Sequence, residues 1–340
     1  NYAPGDEIYI FGFSRGAFTA RSRGGLVGLA GLLTPPFLGG PLREVMEIYR
    51  RRDLKRDARR AGIDALRMGG RRVARIPDVG IRCIGVWDTV GSLGIPGDLG
   101  RRFLGGKHYF HDVMLGGNVD VALHAVAIDE KRSAFSPTLW VSADGRPSRN
   151  GQVVEQVWFA GAHSNVGGSY ADSGLSDIAF DWMARRVDAL TGLALVPGTI
   201  GAVDPQAAAQ AHGVDSRTIL YTDSRIYPYQ RIIGRHVPDG DGFGEWFRRT
   251  FTRYDRRNIP PDGLKTINEA LHVSVLKRWD CDGGVPHDCK AEGACARVPY
   301  RPVNLAAAIA AGPDPQRLPV IGWDGTPIGN PASVWPVAGA

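Results

Sequence analysis

Gly12-Phe13-Ser14-Arg15-Gly16 is the strongest chemical signal in the chain, a G-x-S-x-G sequence. It follows an apolar, β-prone run and precedes a stretch rich in Ala, Gly and Leu. A sharp strand-to-helix turn at this pattern presents a serine hydroxyl above a sheet, and the two glycines allow strand and helix to approach. The N–H of Arg15, at the start of the helix, is then placed to donate to an oxyanion. A serine hydroxyl is unreactive near neutral pH unless a base takes its proton. Imidazole can take that proton and return it to a leaving group, and a carboxylate fixes the imidazole tautomer. The expected chain order is Ser, then Asp or Glu, then His. Asp88 ends the run IRCIGVW and opens the loop DTVGSLG, and His163 follows VVEQVWFA in GAHSNVGGSY. Both lie where loops leave the C-terminal ends of strands, the usual site position in open α/β sheets. The competing roles are a helix or turn cap for Asp88 and a structural histidine at 163. His124 lies in an apolar run and reads as a satisfied core histidine. His108 and His111 are weaker candidates, and His212, His236, His272 and His287 fall in the less regular half.

The elements that must position these groups follow from hydrophobic periodicity. Glu7 to Phe13, Ile81 to Trp87 and Val153 to Ala160 read as short buried strands. Helices are expected from Gly16 to Leu33, ending at Pro35-Pro36, and from Leu42 to Leu66. Val119 to Ile128 reads as a further short helix, and Leu175 to Val187 has its apolar residues on one helical face. Strands alternating with helices predict an α/β fold with a mostly parallel sheet covered on both faces. After Gly192 the pattern degrades. The expected division is therefore a catalytic core over residues 1–192, a loop-rich lid or C-terminal part of the same domain over 193–311, and a Pro/Gly-rich tail over 312–340. The aromatic stretch Phe243 to Tyr254 is the candidate lid.

Composition bounds the class. With 340 residues, 43% hydrophobic and 22% charged, the chain matches globular averages and can bury a full core. No eighteen-residue apolar run and no signal-peptide pattern is visible. The net charge of +6 is regional: Arg43 to Ile76 holds 12 Lys or Arg against 5 Asp or Glu. Such a segment suits a solvated helix face or a phosphate-bearing partner. Tyr49 is its only aromatic residue, which argues against nucleic acid. Cys281, His287, Cys289 and Cys295 lack the paired spacing of common zinc sites, so no metal and no cofactor is expected. His124, Asp129, Glu130 and Arg132 form a polar cluster read as structural ion pairing.

Several motifs in order carry a resemblance. GDEIYIFGFSRGAFTAR, GVWDTVGSLG, LHAVAIDEKRSAFSPTLW, EQVWFAGAHSNVGGSY and LSDIAFDWM resemble the catalytic domain of type VI secretion phospholipase effectors, family one. The likeness continues more faintly through LHVSVLKRW and YRPVNL. It implies an α/β-hydrolase-like fold and a serine esterase of lipid or phospholipid acyl chains, phospholipase A type, with Ser14 as nucleophile, Asp88 as acid and His163 as base. It also implies a bacterial protein, cytoplasmic or exported by a type VI system, that meets a membrane surface and an immunity or secretion-apparatus protein. Two departures stand out. The family usually has HSDVGG where this chain has HSNVGG, so Asn165 brings no charge. The family also has an N-terminal region with an Asp-Gly-Thr loop, so a truncated sheet and a missing second oxyanion donor are expected here. The rival reading is a catalytically silent binding or scaffold module of the same fold.

Overall fold

The computed structural model describes residues 2–3, 5–37, 40–51, 53–90, 114–132, 135–199, 203–204, 211, 213, 231–233, 264–286, 297–313 and 318–336. Its centre is a six-stranded sheet of β1 (Tyr9–Phe13), β2 (Ile81–Trp87), β3 (Val119–Ala127), β4 (Val153–Phe159), β5 (Glu269–His272) and β6 (Val320–Ile321). The strands pair in that order, each parallel to the next. Parallel strands need long crossovers, and these lay helices on both faces. Val121, Leu123, Ala125 and Ala127 of β3 face Ile178, Ala179, Trp182 and Val187 of α5 (Gly174–Thr191). The opposite face is covered by Ala17 and Ala20 of α1 (Arg15–Ala30). Further along that face lie Val275 and Leu276 of α6 (Val273–Trp279) and Leu305 and Ala308 of α7 (Val303–Ala310).

The α/β architecture agrees with the sequence, with three local differences. Val119 to Ile128 is not a helix but the central strand β3, flanked by β2 and β4. A strand buried on both faces is apolar at every position, so it shows no period that distinguishes it from a buried helix. The expected helix over Leu42 to Leu66 is two helices, α2 (Leu42–Arg50) and α3 (Arg56–Asp64). The break lets Val45, Tyr49 and Ile63 all pack against Leu29 and Ala30 at the end of α1. A single straight helix of that length would run about 37 Å and leave the short α1 behind. Third, the stretch from Gly312 includes β6, whose Val320 and Ile321 are buried at the sheet edge.

Around α2 and α3, four of the cations pair with carboxylates: Arg43 with Glu47, Arg51 with Asp53, Arg60 with Asp78 and Arg75 with Asp64. This pairing supports the solvated-face reading of the basic segment. A polar cleft of about 450 Å³ lined by Gly28, Arg56, Arg60, Asp78 and Asn118 opens at the N-terminal ends of the strands. It lies about 20 Å along α1 from Ser14. Among the described residues, no helix is long and apolar enough to cross a membrane.

Candidate active site

Strand register brings the first two candidate groups side by side. Phe13 pairs with Trp87, so Ser14 and Asp88 leave neighbouring strands at the same level. The Ser14 N–H donates to Trp87 O at 3.0 Å, and the Asp88 N–H donates to Ala125 O at 2.7 Å. Ser14 has φ 58° and ψ −121°, and Asp88 has φ 39°. They are two of four non-glycine residues with positive φ among those described. Such conformations cost about 1–3 kcal/mol each and persist only where the surroundings hold them. The turn at Ser14 depends on Gly12, because a Cβ there would meet the Gly16 carbonyl oxygen at 2.5 Å. Gly16 differs from the sequence expectation: a Cβ on it would meet nothing within 4 Å.

His163 comes from farther across the sheet. β4 ends at Phe159, and α4 (His163–Gly167) turns back over β3. Ser14 Oγ lies 2.8 Å from His163 Nε2, and Asp88 Oδ2 lies 2.5 Å from His163 Nδ1. An ionised carboxylate only accepts, so His163 Nδ1 carries the proton and Nε2 accepts from the serine hydroxyl. Although Ser14 precedes α1, its side chain makes no cap bond to the helix. The Arg15 N–H is among the first-turn donors that a helix leaves without an internal acceptor. The Arg15 side chain is exposed.

Two aromatic rings pack against the imidazole. The Phe13 ring lies 4.5 Å from it and the Phe135 ring meets it edge-on at 4.9 Å. α4 passes so close to Phe13 that a Cβ on Gly167 would lie 2.0 Å from that ring. The His163 backbone N–H donates to Glu130 Oε2 at 3.3 Å, and Glu130 takes two bonds of 2.8 Å from the Arg132 guanidinium. Arg132 in turn lies 3.8 Å over the Phe135 ring. Burial favours a protonated Glu130, but Arg132 outweighs it and keeps the carboxyl below its ordinary range. Asp129 accepts from Gly161 N–H at 2.6 Å and from the Tyr300 hydroxyl at 2.9 Å, fixing the loop before His163. Burial raises the Asp129 carboxyl above its ordinary range. Asn165 Oδ1 accepts from Ala162 N–H at 3.1 Å, a role that needs an acceptor oxygen rather than a charge.

His124 lies on β3, not on a helix, and supports the acid loop. Its Nε2 accepts from the Thr89 N–H at 3.1 Å, one residue after Asp88. Burial, aided by the Arg21 charge, pushes its pKa down to about 3, so the ring is neutral. Gln156 holds both backbone groups of Trp140, through bonds of 2.7 and 3.0 Å.

Arg231 is the site residue that sequence reasoning missed. Its two terminal nitrogens donate to Asp88 Oδ1 at 2.6 Å and Oδ2 at 2.9 Å, and both side chains are fully buried. Burial works to raise the Asp88 carboxyl, but the Arg231 charge and the His163 hydrogen bond outweigh it and hold it well below the usual carboxylate range. Arg231 stands 143 residues from Asp88 in the chain, where the sequence carries no motif. His108, His111, His212, His236, His287, Cys289, Cys295 and the candidate lid Phe243 to Tyr254 lie outside the described residues. The Cys281 thiol donates to Lys277 O at 3.3 Å.

Comparison with known proteins adds three findings. The family described as "T6SS, Phospholipase effector Tle1-like, catalytic domain" matches residues 1–186. An uncharacterized protein of Saccharomyces cerevisiae is 30% identical over 136 residues, covering 39% of this chain and 18% of the yeast protein. The crystal structure of an uncharacterized protein from Pseudomonas aeruginosa is similar at 22% identity and a TM-score of 0.34, over 60% of this chain and 27% of that one. The chain thus spans a minor part of either relative's length. The family match runs through Ser14, Asp88 and His163 and covers more than half of the chain, which belongs to the Tle1-like phospholipase effector family of the type VI secretion system, through its catalytic domain.

Proposed function

We propose that this chain hydrolyses carboxylic esters of lipids, phospholipids foremost, by acyl transfer through Ser14. The observation that carries the reading is the continuous line Ser14 Oγ, His163 Nε2, His163 Nδ1, Asp88 Oδ2, with bonds of 2.8 and 2.5 Å. In this reading His163 takes the Ser14 proton as Oγ attacks the ester carbonyl. The tetrahedral oxyanion points at the first-turn N–H groups of α1, the Arg15 N–H among them. His163 then returns the proton to the departing alcohol, and a water repeats the cycle to release the fatty acid. Asp88 holds the tautomer and stabilises the imidazolium. Family membership supports the lipid ester as substrate. It also supports export through a type VI apparatus, an encounter with a membrane surface, and an immunity partner, all as parts of the same proposal.

A fluorophosphonate probe tests the nucleophile directly. Labelling of the wild-type chain that disappears in Ser14→Ala, with fatty acid released from phospholipid vesicles by the wild type alone, is the expected result. A folded wild-type protein that neither labels nor releases fatty acid would leave the silent scaffold as the better reading.

A further inference from the structure

The acid of the proposed triad is shared between two partners. Asp88 Oδ1 accepts from Ala127 N–H at 2.9 Å and from Arg231, and Oδ2 accepts from His163 and from Arg231. Each oxygen thus takes two donors, and the carboxylate can neither rotate nor tilt without breaking one. Arg231 is anchored in turn: it donates to Ala127 O at 2.6 Å, at the end of β3, and to the carbonyl of Phe135, whose ring packs on His163. A planar guanidinium matches a carboxylate at two points and cannot lose its proton.

We propose that Arg231 is a positioning residue for ester hydrolysis, clamping Asp88 in the plane His163 needs and opposing protonation of the Asp88–His163 pair. The inference rests on the proposed function above and names a residue that acts there through Asp88. The charge argument is direct. With His163 neutral, Arg231 and Asp88 sum to zero. A proton added to the pair leaves a net positive charge among buried side chains. The other charged groups nearby change this little. Glu130 is matched by Arg132, with Tyr170 close to that arginine. His124 on β3 is neutral, and Arg21 on α1 adds a further positive charge near it. Asp129, beside Tyr300 and Arg278, faces the loop before His163. Arg231 is therefore the cation that touches the acid, and its removal moves protonation of the coupled pair to higher pH.

The test compares wild type, Arg231→Met and Arg231→Lys in the full chain, using a soluble aryl ester. kcat and KM are measured from pH 5 to 9, fluorophosphonate titration counts competent sites, and circular dichroism reports folding. Arg231→Met is expected to keep KM, since the buried side chain has no access to substrate, and to lose kcat by about tenfold or more. The acid limb of its kcat/KM profile moves up by about one pH unit. Arg231→Lys restores the acid limb through its charge and recovers kcat only in part, because an ammonium lacks the fork. A folded Arg231→Met with an unshifted limb, or with wild-type kcat, overturns the proposal. If Arg231→Met does not fold, Arg231→Lys decides: reduced kcat at unchanged KM supports the clamp, and wild-type kcat overturns it. A wild-type chain with no esterase activity and no labelling overturns the proposed function itself, and this inference with it.

Discussion

Asp88 has no freedom to become anything but a carboxylate. Its two oxygens take four donors, one of them the Nδ1–H that sets the His163 tautomer. Asp88→Asn keeps the size and loses this logic. An amide nitrogen turned toward His163 donates to Nδ1, which moves the ring proton to Nε2 and points it at Ser14 Oγ. The base then has no lone pair to offer. In the proposed mechanism kcat falls by about 10⁴-fold, as expected for the wrong tautomer in such a triad. The same change strands the buried Arg231 cation, at a cost of about 3–5 kcal/mol. Steady-state kinetics and thermal melts on Asp88→Asn check both parts, and a folded variant with more than a tenth of wild-type kcat would sink the first.

At the scale of elements, the turn between β1 and α1 makes two glycines that look alike in sequence behave differently. A Cβ on Gly12 would meet backbone, the Gly16 carbonyl oxygen at 2.5 Å, and backbone cannot step aside. Gly12→Ala is expected to lower the melting temperature by several degrees and to abolish fluorophosphonate labelling. Gly16→Ala meets open space in an exposed first turn of helix, where alanine is favoured by up to about 1 kcal/mol. It is expected to match or exceed wild-type stability, as paired melts would show. Legibility follows the same line between local and distant causes. Ser14, Asp88 and His163, which the structure brings within hydrogen-bond distance, stand out in the sequence as candidates because each follows a strand whose β-prone run marks its end. β3 reads as a helix in sequence because burial on both faces erases the alternation that marks a strand. Arg231 was invisible because its partner is fixed by topology, not by spacing. β5 and β6 escaped because four and two paired residues are too few to show a period.

Across the whole molecule, closing helices over both faces of the sheet buries ionisable groups whose protonation must wait for unfolding. His272 at the end of β5 stacks 4.8 Å from Phe159, with Trp323 edge-on at 5.0 Å. Its Nδ1 accepts from the Ser274 N–H and lies 2.7 Å from the Ser274 hydroxyl, at the start of α6. Burial pushes its pKa down to about 3, as it does for His124 with help from the Arg21 charge. An unfolded chain protonates these rings near pH 6.5. Their contribution is therefore whole above about pH 6.5 and drains away as the pH falls toward 3, at up to about 1.4 kcal/mol per pH unit for each ring. Asp88 and Glu130, held below their ordinary range, add losses in the same direction only below about pH 4 to 4.5, while Asp129, raised by burial, works the other way. Between pH 7 and pH 5 the two histidines together remove up to about 4 kcal/mol, a large part of the stability of an ordinary domain. His272→Asn separates this linkage from packing. Asparagine can still accept from the Ser274 N–H at the helix start but does not titrate. It also loses the stacking on Phe159. The expected outcome is a variant with a lower melting temperature than wild type at pH 7.5 and a smaller drop between pH 7.5 and pH 5. Equal drops in the two proteins would mean that the acid sensitivity of this fold comes from groups other than His272.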